Sequence, residues 1–167
     1  MTGKREAIVK NFINALNVLK KKPFRDSQFN VSDILIAAYD VGRNNIEFED
    51  DERRIIGPLI KDLIKPIDEY IFSIGYSFDH NYTGSNLILR SGLQFILDNC
   101  KSFPVSQSET LEDTFSYLQQ TESIQTLDEA LKDWKSSASP LTDENVTYSV
   151  EEITRPKDVP HSHTWWY

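Results

Sequence analysis

Apolar residues recur at helical spacing along most of the chain. Ile8, Val9, Phe12, Ile13, Leu16 and Leu19 share one stripe, which predicts a helix from about Lys4 to Lys22. Lys20, Lys21 and Lys22 complement its C-terminal dipole, and Pro23 stops it. "NVSDILIAAYDVGRNN" predicts a second helix, with Ser32 as N-cap, Asp33 in the first turn, and Gly42 or Asn44 closing the end. Ile34, Leu35, Ala38 and Val41 form its core face. "FEDDERRIIGPLIKDLIKPIDEYIFSIGYSF" predicts one or two longer helices. Its acids Glu49–Glu52 suit a helix start, and its apolar face runs from Ile55 to Phe72. Pro58 falls near the start, and Pro66 is expected to kink or split the helix.

The next segment, "NYTGSNLILRSGLQFILDNC", is apolar nearly all round, so it predicts a central helix, capped near Ser85. Gly92 would permit a close helix crossing. Two shorter stripes follow: Leu111, Phe115 and Leu118, then Leu127, Leu131 and Trp134. Each has a capping-box pattern ahead of it or inside it, Ser106 with Glu109 and Thr126 with Glu129. Ser136–Pro140 then breaks the helical pattern. Val146, Tyr148 and Val150 alternate with polar residues as in a short strand, and Pro156 and Pro160 favour extended chain. The pattern therefore predicts an all-α fold. Residues 1–167 form a single helical domain, a bundle of about six helices, with an extended C-terminal arm over 137–167 packed on the body.

Charge divides the chain. Residues 1–100 carry 13 Lys+Arg against 14 Asp+Glu, and residues 101–167 carry 5 against 12, so most of the net charge of −8 lies in the last two-fifths. Nucleic acid is not expected as a direct ligand, because phosphate binding needs a basic patch. A basic protein partner is, because opposite fields steer association. No stretch approaches the roughly 18 apolar residues of a membrane span, so no membrane partner is expected. The basic N-terminus lacks an apolar secretory core and Cys100 is the single cysteine, which together lead us to expect a cytoplasmic protein.

The usual parts of catalysis are missing from the pattern. The glycines are scattered singly, with no phosphate loop, and neither G-x-S-x-G nor H-E-x-x-H occurs. Paired acids such as Glu112–Asp113 and Asp128–Glu129 sit beside polar neighbours, which suits solvated faces better than general acid and base. Cys100 ends an apolar helix pattern, as a structural thiol does. The chain's three histidines are His80, His161 and His163. In extended chain His161 and His163 would point the same way, a short zinc-like pattern that His80 or a carboxylate could complete. The competing reading has them fixing the arm to the body, with Trp165 or Trp166 as a plug. No cofactor is expected.

The acidity, the helical body and the ending "RPKDVPHSHTWWY" together resemble immunity proteins of bacterial contact-dependent growth inhibition. The resemblance implies a non-enzymatic inhibitor that binds one cognate toxin domain, usually a basic nuclease, and covers its active site. Charge and position nominate the partner-binding residues: Glu109, Glu112, Asp113, Asp128, Glu129, Asp143, Glu144, Glu151 and Glu152. Two other readings stand beside this one. One is a small helical enzyme or metal protein using the His-x-His pair, and the other is an adaptor domain.

Overall fold

In the computed structural model the described residues form six helices, in chain order α1 (Thr2–Lys21), α2 (Ser27–Arg43), α3 (Asp50–Tyr76), α4 (Thr83–Asn99), α5 (Leu111–Gln120) and α6 (Glu122–Ser137), with α4 packed on α2 and α6 on α3. The structure describes residues 2–21, 27–78, 83–137 and 163, and among these there is no strand. The strand expected at Val146–Val150 lies outside the described residues, as does the predicted arm apart from His163 and Ser137, the last residue of α6. The all-α bundle is as expected.

The buried stripe of α1 is Val9, Phe12, Leu16 and Leu19, the predicted set without its flanks. α2 starts earlier than its pattern suggests. Ser32 lies inside it and hydrogen-bonds Tyr70 of α3 rather than capping. The end of α2 is a Schellman closure. Asn45 takes the left-handed conformation, with φ of 52°, its N–H donates to the Gly42 carbonyl at 3.0 Å, and the Ile46 N–H donates to the Val41 carbonyl at 3.1 Å. The left-handed residue is therefore Asn45 and not the neighbouring Asn44, whose side chain instead donates to the Asp40 carbonyl at 2.7 Å.

α2 and α4 form the centre, and two glycines set their distance. A Cβ on Gly92 would lie 1.9 Å from the Leu35 carbonyl oxygen, and one on Gly42 would lie 2.1 Å from the Phe95 ring. Each helix thus takes a group of the other directly against its backbone, as Gly92 led us to expect. The predicted cap at Ser85 falls inside α4, which begins at Thr83.

α3 is a single helix of 27 residues containing both Pro58 and Pro66. A proline inside a helix deletes one backbone hydrogen bond, and burial of Ile56, Ile60, Ile67 and Ile71 along the helix offsets that loss. Its start is built as the acids suggested. The Glu49 N–H donates to the Glu52 carboxylate at 2.7 Å, and Arg5 of α1 donates to the same carboxylate. Burial pulls the Glu52 carboxyl upward, but these hydrogen bonds outweigh it and hold the group below its ordinary value. Two residues of the predicted core face are corrected. Ile55 and Phe72 are 51% and 42% exposed, because the other helices cover only part of the circumference of α3.

Loops complete the core. Phe48 packs on Phe12, with ring centroids 5.9 Å apart, and edge-on against Phe103 at 5.5 Å. The Pro104 carbonyl crosses α3 at Gly57, where a Cβ would meet it. Neither expected capping box forms. Thr110 caps α5, accepting from the Glu112 N–H at 3.3 Å, while the Glu109 carbonyl accepts from the Val105 N–H at 2.8 Å. Thr126 and Glu129 lie inside α6, which begins after Thr121; the Thr121 hydroxyl donates to Asp68 of α3 at 2.8 Å.

Candidate functional site

Arg90 is the lone charge in the run from Leu87 to Leu97 of α4, and its side chain is 5% exposed. A buried guanidinium needs a carboxylate and satisfied donors. Asp128 of α6 supplies the first, accepting from Nε at 2.6 Å and Nη2 at 3.2 Å in a two-pronged contact. Gln94 accepts from Nη1 at 3.0 Å and passes its own amide to Asp98 at 2.8 Å. The network Asp128–Arg90–Gln94–Asp98 thus ties α4 to α6.

Beside it runs a surface groove of about 370 Å³. Leu97 and Ile124 give it an apolar strip, and Gln119, Gln125, Glu129 and Lys132 form a polar rim. The Gln125 amide donates to Glu129 at 3.1 Å. Its two cations and two carboxylates balance, so the groove suits hydrogen-bonding groups more than a strongly charged small molecule. By contrast, the internal void among Phe12, Phe48, Phe95 and Cys100 is about 10 Å³, too small for a ligand.

On the other flank of the same turns of α4 sits His163, 0% exposed. Its Nδ1 lies 3.1 Å from the Ser91 hydroxyl, and its ring lies 4.8 Å from that of Phe95. Burial pushes the imidazole pKa down; Asp98 opposes this and Arg90 adds to it. The ring is therefore neutral at pH 7. A serine hydroxyl beside an imidazole could suggest a nucleophile and its base. Here both residues are fully buried, and a substrate carbonyl has no approach to Ser91.

The nominated acids fare differently. Glu109 is ion-paired with Lys61 at 2.5 Å, and Asp128 is held by Arg90. Glu112 and Asp113 are exposed in the first turn of α5, and Glu129 is exposed on the groove rim. Asp143, Glu144, Glu151 and Glu152 lie outside the described residues, as do His80 and His161. Among the described residues no group of three or more His, Cys, Asp or Glu could hold a metal ion, and no helix is long and apolar enough to cross a membrane. Cys100 is buried, and burial pushes its thiol far up.

Sequence reasoning missed Arg90 and Ser91. The signal was present: a lone arginine in "LILRSGLQFIL" announces a buried cation in search of a carboxylate. No family model, curated protein or solved structure matches the chain.

Proposed function

We propose that this chain is a non-enzymatic, acidic binding protein that neutralises a basic bacterial toxin domain, in the manner of the contact-dependent growth inhibition immunity proteins its ending resembles. The observation that carries the reading is the charge asymmetry. Residues 101–167 hold 12 Asp+Glu against 5 Lys+Arg, and Glu112, Asp113 and Glu129 of this region face solvent. Such carboxylates match the cationic surface with which a nuclease holds phosphate, and the shared field speeds encounter. Inhibition by coverage needs no chemistry and no cofactor, only exposed carboxylates held on a folded body, and the exposure of Glu112, Asp113 and Glu129 on α5 and α6 supports that reading. The proposed partner is a protein, not nucleic acid or a membrane, and the proposed place of action is the cytoplasm.

The metal reading through the His-x-His pair is weaker, since Nδ1 of His163 is already turned to Ser91 inside the body. The test is protection in cells. The proposal predicts a toxic C-terminal domain encoded immediately upstream, and that domain is expressed with and without the chain. Rescue of growth is expected, and continued killing at equal expression would remove the proposal.

A further inference from the structure

Phe72 and Tyr76 are large aromatic residues that the fold leaves outside. They are 42% and 78% exposed, one turn apart near the end of α3. Their rings stack, with centroids 5.8 Å apart and planes 16° from parallel, so they form one exposed aromatic pair. A single exposed aromatic needs no explanation, but a stacked exposed pair is a ready contact surface. Glu69 precedes them on the same helix face, at spacings of three and seven residues, and is exposed. Asp68 lies beside it, bound by Thr121, and Glu122 opens α6 immediately after that threonine. Lys65, a turn further back, is a helical neighbour of Glu69.

We infer that the Glu69–Phe72–Tyr76 stripe is the anchor for an arginine side chain of a basic protein partner. This rests on the basic-partner reading above and names a contact within it. A guanidinium is flat and weakly hydrated, so it lies face-on over an aromatic ring while its edge donates to a carboxylate. The stripe offers both: a π face from Phe72 and Tyr76, and an acceptor from Glu69. A lysine ammonium is a compact, strongly hydrated charge and would use the same surface less well. Charge complementarity sets the occupant. Among the charges beside the pair Asp68, Glu69 and Glu122 outnumber Lys65, and an exposed aromatic pair beside a carboxylate selects a cation with an apolar face.

The test uses the full-length chain with carbon- and nitrogen-labelled aromatic residues, titrated with short oligo-arginine and oligo-lysine peptides of equal length. Oligo-arginine is expected to shift the ring signals of Phe72 and Tyr76. It should bind about two- to fivefold more weakly to Phe72→Leu and Tyr76→Leu, which keep apolar bulk without the π face. Both positions are exposed, so the variants should unfold at the wild-type midpoint. Equal binding of the two peptides, or arginine shifts confined to Glu112, Asp113 and Glu129, would overturn the anchor while leaving the basic-partner reading intact. No binding of either peptide anywhere would overturn both. A dimer seen by sedimentation and lost in Tyr76→Leu would give the stripe to a second copy of this chain and equally end the arginine assignment.

Discussion

His163 reaches 72 residues back along the chain to place Nδ1 3.1 Å from the hydroxyl of Ser91, in the heart of α4. Beneath its ring lies Phe95, and beneath Phe95 lies the bare backbone of Gly42. The three residues are layered from His163 onto the central helix pair. Replacing His163 with alanine removes the ring contact and the hydrogen bond together. The expected loss is about 2–3 kcal/mol, read by urea unfolding. An unchanged midpoint would mean that the ring rests on α4 without contributing to its stability.

The same residue carries a pH dependence. Its native pKa is lowered, chiefly by burial, so the unfolded chain takes up the proton first as pH falls. The contribution is complete above about pH 6.5 and is lost as pH drops through the lowered native value. Asp98 and Arg90 of α4 face the ring with opposite effects; across Phe95, Tyr39 of α2 stands with Arg43 over its ring. Wild type should therefore lose more stability than His163→Phe between about pH 7.5 and about pH 5.5. Parallel curves for the two proteins would rule out a neutral buried imidazole.

Arg90 and Asp128 make a second test. Asp128→Asn leaves the buried guanidinium without its counter-charge. Because the Asp128 side chain is 41% exposed, the cost should be about 1–3 kcal/mol, below that of a fully buried pair. In the double variant Arg90→Met with Asp128→Asn, part of this cost should disappear, since no orphaned cation remains. Strict additivity of the two single changes in chemical denaturation would show that the pair does not interact energetically.

Gly92→Ala probes the α2–α4 crossing. Alanine in a helix ordinarily gains about 1 kcal/mol over glycine. Here its Cβ would press on the Leu35 carbonyl, a backbone atom that cannot swing aside. We expect a net loss of about 2 kcal/mol. Any gain in melting temperature would mean that the two helices lie further apart.

Cys100 offers a check that needs no mutation. Its thiol is buried and pushed far up by that burial, so an aromatic disulfide reagent should leave it untouched in the native protein. One equivalent should react at once in denaturant. Rapid labelling of the native state would contradict the burial of Cys100.

The helices were legible because their stripes are long. α4 reads as central from "LILRSGLQFIL" alone, and Gly92 reads as a crossing point. Helix starts were less legible. Ser32, Ser85, Ser106 and Thr126 all look like caps, yet three lie inside helices and the fourth precedes Thr110, the residue that does cap. A hydroxyl before an apolar run is a common local signal, while the actual start depends on what packs upstream. The site was less legible still. Arg90 is 38 residues from Asp128, and Lys61 is 48 from Glu109, so no local pattern reveals which acids are already neutralised. Phe72 looked like core because helical periodicity marks an apolar arc without saying how much of it neighbouring helices will cover.

The most direct test of the central claim is the affinity of the purified chain for the toxic domain that the proposal predicts to be encoded immediately upstream, measured across a salt series. Affinity should fall steeply as salt rises, and fall further at fixed salt when Glu112, Asp113 and Glu129 are changed together to their amides. No complex at low salt, or a complex indifferent to both salt and these changes, would contradict an acidic inhibitor of a basic toxin.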